Sequence, residues 1–174
     1  LLRSVALGIR YAAPLMTKRG GGAIVNTSSV YGLIGVRNES AYCASKFAVR
    51  GFTESLRHEL RGTGVRAVTI HPGGVKTNIA RNARLREDTE GWGRTPDDIA
   101  DEFDALAMTT PEAAADIIVE GVERGQSRIL VGIDAKVIDA LVRRAPTRYP
   151  IGIAAVEAAL SSRAAKRLGT VMAR

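Results

Sequence analysis

The chain has a single cysteine, Cys43, in 174 residues, so no intrachain disulfide is open to it. Its two histidines, His58 and His71, leave with that lone thiol too few ligands for a structural zinc site, and no metal site is expected. It lacks a long apolar run: none approaches the roughly 18–20 residues that a membrane-spanning helix needs. The opening LLRSVALGIR is cut by Arg3 too early to read as a signal peptide. With no export signal and no disulfide framework, a cytoplasmic location is the default expectation. Aromatic residues make up only 5%, and neither an aromatic RNA-binding motif nor zinc-finger spacing accompanies the basic residues. Acidic residues are outnumbered, 18 against 25 Lys and Arg, for a net charge of +7. The excess is heaviest near the C-terminus, at Arg143, Arg144, Arg148, Arg163, Lys166, Arg167 and Arg174. These fall as solvated helix faces rather than as one reading element, so neither a nucleic-acid partner nor membrane contact by the C-terminal helices is expected.

What is present suits one globular domain. Hydrophobic residues make up 45% and mean hydropathy is near zero, the balance of a soluble fold with a real core. The first residue is Leu rather than Met, and the sequence opens directly into a helical pattern; it reads as a fragment or as a chain whose start is oddly placed. Val5, Ala6, Ile9, Ala12, Ala13 and Met16 recur near a 3.6 period and predict a helix over 3–17. Gly20-Gly21-Gly22 ends it. Residues 23–28, AIVNTS, are apolar without alternation, as in a parallel strand buried on both faces. A helix over 40–61 follows, with the stripe Ala44, Ala48, Phe52, Leu56 and Leu60. Residues 65–71 read as the next strand. Strand, helix, strand in that order is a crossover unit of a parallel sheet, and so an α/β fold. Residues 79–110 are polar and irregular in pattern, with Trp92 between two glycines, and read as a substrate lid. A helix from Thr110 to about Arg124, a strand over 128–132 and helices over 134–144 and 153–168 complete the chain.

The stretch from Ser29 to Lys46 carries the chemistry. Tyr42 and Lys46 stand four residues apart on the second helix, so a phenol and an ammonium share one face. A tyrosine has an ordinary pKa of about 10, and a neighbouring positive charge favours the phenolate. Ser29 lies thirteen residues before Tyr42, at the end of the first strand, and His71-Pro72-Gly73-Gly74 ends the second abruptly. Ligands of open parallel sheets sit beyond such strand ends, so the serine and the glycine turn should face one crevice. Each feature has a plainer account. A Tyr and a Lys one turn apart are ordinarily surface neighbours; Ser29 can cap a strand end, Thr77 the next helix, and Gly73-Gly74 can merely form a turn. Cys43 reads as packing, His71 as a strand-end residue, and His58 and Glu59 as solvated or interfacial.

Taken together, IVNTSS, Ser29, YCASKFAVRGFTESLRHEL and PGGVKT, in this order and spacing, resemble the classical short-chain dehydrogenase/reductase family over about Gly8 to Gly132. The resemblance implies a doubly wound, Rossmann-like parallel sheet, here N-terminally incomplete. It implies a single domain, with 1–132 a partial catalytic core and 133–174 a C-terminal helical extension. It implies an enzyme that interconverts an alcohol and a carbonyl with NAD or NADP. Tyr42 resembles the general acid-base and Lys46 the residue that binds the nicotinamide ribose and lowers the tyrosine pKa. Ser29 resembles the hydroxyl that holds the substrate oxygen, and Pro72, Gly73, Val75 and Thr77 the segment at the nicotinamide end. The family pairs through its long helices, here 3–17 and 40–61, into homo-oligomers. Two departures stand out. No G-x-x-x-G-x-G turn follows a strand in this chain, and the position of the family's catalytic asparagine falls on Leu1. They open an alternative: an inactive fragment or subunit that acts by association. The substrate that the resemblance implies is a small alcohol or carbonyl; Ile79, Leu85, Phe103, Leu106 and Met108 lean weakly toward an alicyclic or lipid-like one.

Overall fold

A computed structural model describes residues 2–83 and 95–153. The chain divides into two compact units, Leu1–Ile138 and Asp139–Arg174. The first contains α1 (Leu2–Lys18), β1 (Gly22–Thr27), α2 (Ser40–Glu59), β2 (Val65–Pro72), α3 (Pro96–Leu106), α4 (Pro111–Glu123) and β3 (Arg128–Val131). Helix α5 (Ile133–Arg144) begins in the first unit and ends in the second. In the second unit the described residues are the end of α5, where Arg143 and Asp139 pair at 2.9 Å, the turn after it and helical residues 149–153.

The three strands form one parallel sheet in the order β1-β2-β3, with Ile24 opposite Ala67 and Ile70 opposite Ile129. Side chains alternate across a strand, so β2 serves two cores. Val65 and Ala67 join Ile9 of α1, Ile24 of β1 and Leu56 of α2 on one face. Val68 and Ile70 join Ala114 of α4, Ile129 and Val131 on the other. Helices therefore cover both faces of the sheet. Each fully buried Val, Leu or Ile contributes roughly 1.5–3 kcal/mol, enough to hold helices whose exposed faces offer little. Helix α4 meets β3 at Gly121, where a Cβ would stand 2.7 Å from the Ile129 side chain.

Two expectations need correction. β1 is not buried on both faces: among the described residues it sits at the sheet's edge, and its burial alternates, with Val25 38% exposed while Ile24 and Asn26 are buried. Among the described residues the α1/α2 layer covers one face of β1, and α4 lies over β2 and β3 on the other. Nor is 79–110 irregular throughout. Thr95 accepts from the Asp98 amide while the Asp98 carboxylate accepts from the Thr95 amide, and this capping box starts α3 at Pro96. Arg81 ties that helix back through Asp101 at 2.8 Å and Asp104 at 2.7 Å. Leu85 and Trp92, and the helix expected over 153–168 beyond Ile153, lie outside the described residues. Elsewhere the elements fall within a few residues of their sequence-based bounds. Among the described residues no helix is long and apolar enough to cross a membrane.

Candidate active site

The site lies at the C-terminal ends of β1 and β2. The Ser28 amide donates to the Ile70 carbonyl at 2.9 Å, carrying the β1–β2 ladder one residue past the strand. Ser29 then begins a 3-10 turn over Val30–Gly32, and its hydroxyl accepts from the Tyr31 amide at 3.1 Å. Gly32 lets this turn lie directly on α2. A Cβ there would collide with the Ser28 hydroxyl and stand 2.9 Å from the Lys46 carbonyl. Two buried hydrogen bonds fasten strand to helix: Ser28 Oγ donates to the Lys46 carbonyl at 2.9 Å, and Asn26 Nδ2 to Thr53 Oγ1 at 2.9 Å. Asn38, at φ 65, turns the chain into α2.

These constraints bring Ser29, Tyr42 and Lys46 together. The Ser29 hydroxyl stands beside the Tyr42 phenol, close enough to pull its pKa down. Lys46 is buried, donates to the Thr27 carbonyl at 3.2 Å, and holds Nζ 5.4 Å from the Tyr42 ring centre. Tyr31 braces the same ring edge-on, centroids 5.9 Å apart. Ser29 thus caps the turn while standing beside Tyr42.

The electrostatics differ from the sequence-based expectation. The Tyr42 pKa is raised, not lowered. Tyr42 stays 36% exposed, so its burial is only partial; that partial burial pushes the pKa up, the Ser29 hydroxyl pulls it down, and Glu39 and Cys43 push it up again. Burial likewise pushes the Lys46 ammonium down. The physical reason is that loss of solvent around the phenol outweighs the pull of Ser29, while Lys46, which donates to the Thr27 carbonyl, is not among the groups that shift it. At neutral pH Tyr42 is therefore a protonated phenol beside Ser29.

The second wall is the Pro72–Thr77 segment. Gly73 N–H donates to the Val131 carbonyl at 3.0 Å, and Gly74 N–H to Asp134 Oδ2 at 2.6 Å. Thr109 N–H donates to the Gly74 carbonyl at 3.2 Å, and Lys76 N–H to the Thr109 carbonyl at 2.8 Å. This is a parallel bridge centred on Val75 and Thr109. In such a bridge the flanking groups bond, so Val75's own N–H and C=O point away from Thr109. Beyond it, Lys76, Thr77, Asn78 and Asp104 line an open depression of about 410 Å³. Thr77 caps no helix: residues 77–82 are bend and turn.

His71 is fully buried, and its Nδ1 lies 3.0 Å from the Ser29 carbonyl, which can only accept. It braces the serine's backbone from the neighbouring strand. Cys43 is buried packing, and His58 and Glu59 are exposed. Gly20–Gly22 lies at the opposite end of the sheet, where Gly22 N–H donates to the Gly64 carbonyl at 3.2 Å. Sequence reasoning missed Asp134 and Thr109. Asp134 shows in the sequence only as an acid in the first turn of a helix, and nothing in the sequence marks its reach to Gly74.

Residues 2–88 match the family described as short chain dehydrogenase. A putative oxidoreductase SadH of Mycobacterium tuberculosis is 44% identical over 154 residues, 87% of this chain and 54% of that protein. Cyclohexanol dehydrogenase of an Acinetobacter species is 43% identical over 78 residues, 45% of this chain and 31% of that protein. Among solved structures, a short chain dehydrogenase/reductase from Burkholderia phymatum in complex with NAD aligns with a TM-score of 0.67 at 28% identity, covering 81% of this chain and 54% of that one. The chain spans about half the length, or less, of the curated relatives it matches.

Proposed function

This chain belongs to the short chain dehydrogenase family, and from that premise we propose that it carries the proton-transfer half of an NAD- or NADP-dependent oxidoreductase acting on an alcohol or its carbonyl. The observation that carries this is the convergence of Ser29, Tyr42 and the buried Lys46 beyond the C-terminal end of β1. Tyr42 gives its proton to the carbonyl oxygen, or takes one from the alcohol. Ser29 holds that oxygen and stabilises the charge that develops on it. Lys46 fixes the ring side of the tyrosine and supplies the positive charge of the site.

The residues present fit the nicotinamide end of such a cofactor. Val75 turns its backbone donor and acceptor outward from a rigid bridge, with the Thr77 hydroxyl two residues on and the Pro72–Gly73 turn before it. The cofactor supplies or accepts the hydride. The phosphate end has no comparable cradle among the described residues, since the Gly20–Gly22 turn is at the opposite end of the sheet. NAD is the cofactor in the Burkholderia phymatum complex, and an alicyclic secondary alcohol suits the likeness to cyclohexanol dehydrogenase.

Tyr42→Phe is expected to abolish oxidation of alicyclic alcohols, followed by nicotinamide absorbance, while cofactor binding persists; unchanged turnover refutes the assignment. A second reading, action by association, draws on the exposed apolar row Leu7, Tyr11 and Leu15 on α1 and Phe47 on α2. Rows of this kind suit homo-oligomeric pairing through α1 and α2. Titrating this chain with NADH and NADPH separates the two readings: micromolar binding supports the enzyme, and no binding supports association alone.

A further inference from the structure

We propose that Asp134 is a positioning residue for the Pro72–Thr77 segment, a latch that holds the glycine turn so that Val75 faces the site. The functional part of this rests on the nicotinamide reading above. Four hydrogen bonds pin the turn, and three are backbone to backbone, from β3 and from Thr109. The fourth comes from a side chain: Gly74 N–H donates to Asp134 Oδ2 across 60 positions of sequence, at 2.6 Å, the short length of a charge-assisted bond.

The carboxylate lies in a slot made by missing side chains. A Cβ at Gly73 would collide with both of its oxygens, and a Cβ at Gly132 would collide with Oδ1. Gly132 also needs φ +95, which a residue with a side chain rarely adopts. Asp134 Oδ1 is buried and accepts no hydrogen bond among the described residues. A first-turn acid serves a helix dipole equally well when exposed to water. Asp134 instead is drawn inward with one oxygen unsatisfied, a cost native folds seldom carry without a purpose. The purpose legible here is the geometry of residues 73–75.

The test uses the whole chain and two readouts, amide hydrogen exchange at Gly74–Thr77 and titration with NADH. Asp134→Ala should speed exchange of the Gly74 amide and raise the NADH Kd, each about tenfold, the factor that goes with losing one such bond. Asp134→Ser, too short to reach Gly74 but able to cap the helix, should do the same and serves if the alanine variant fails to fold. Asp134→Asn keeps an acceptor and should restore both values. Gly73→Ala should mimic Asp134→Ala by evicting the carboxylate, and should add little in the Asp134→Ala background. Unchanged Gly74 exchange in the Ala and Ser variants overturns the latch. Faster exchange with unchanged NADH affinity overturns its positioning role. If the unaltered chain binds no NADH, the nicotinamide reading falls by itself, and the exchange data still judge the latch.

Discussion

Replacing Thr53 by valine keeps the shape of the side chain and removes only its hydroxyl. That hydroxyl is fully buried, donates to the Val49 carbonyl at 2.7 Å and accepts from Asn26 Nδ2 at 2.9 Å. The Val49 carbonyl keeps its helical partner, the Thr53 amide, so it is not orphaned. Asn26 is buried on β1, and its amide loses its acceptor. An unsatisfied buried donor costs about 1–3 kcal/mol. Ser28→Ala is the contrasting case. It removes the donor itself, and the Lys46 carbonyl it served keeps the Arg50 amide, so only the net bond is lost, about 0.5–1.5 kcal/mol. With a urea slope of about 2 kcal/mol per molar, Thr53→Val should lower the unfolding midpoint by roughly 0.5–1.5 M, and Ser28→Ala by about half as much. Far-UV circular dichroism reads both. Asn26→Leu combined with Thr53→Val removes donor and acceptor together and should recover most of the loss. The reasoning is refuted if Ser28→Ala costs as much as Thr53→Val, or if the double variant is no more stable than Thr53→Val alone.

The raised Tyr42 pKa makes the folded state prefer the protonated phenol, so its contribution to stability is complete below about pH 10 and is lost as pH rises through the raised value. Ultraviolet titration of the wild type against Tyr42→Phe should show a tyrosine ionising above its ordinary range, and alcohol oxidation should climb over the same interval; ionisation below about 10 contradicts the burial argument. Gly32→Ala should unfold or strongly destabilise the chain, because the new methyl meets the Ser28 hydroxyl and the helix backbone at Lys46; a urea midpoint like that of the wild type removes the packing claim. Tyr11→Arg, in the exposed apolar row of α1 where Tyr11 is 69% exposed, should shift any oligomer toward monomer in sedimentation without lowering the unfolding midpoint; an unchanged sedimentation profile excludes that row as the interface.

The elements were legible in the sequence because local rules govern them. Apolar residues at a 3.6 spacing make α1 and α2 wherever they are placed, and glycine must follow where the chain reverses. Tyr42 and Lys46 were legible as a pair because four residues are one turn of any helix. What failed locally was depth. AIVNTS reads as doubly buried, yet β1 has cover on one face among the described residues, and a strand cannot encode which neighbours lie over it. The capping box at Thr95 and Asp98 was present as letters inside a polar stretch and carried the start of α3 unread.

The parallel α/β order, the strand end that carries Ser29 and the helical face that carries Tyr42 and Lys46 can be read from the residues alone, since each depends on contacts within a few residues. The tertiary structure decided the rest. It set the direction of the Tyr42 shift, because desolvation depends on everything packed around the phenol and here outweighs the pull of Ser29. It decided that His71 braces the Ser29 carbonyl from the next strand. It also brought Asp134 to Gly74, a meeting between residues 60 positions apart that only the pairing of β2 with β3 creates.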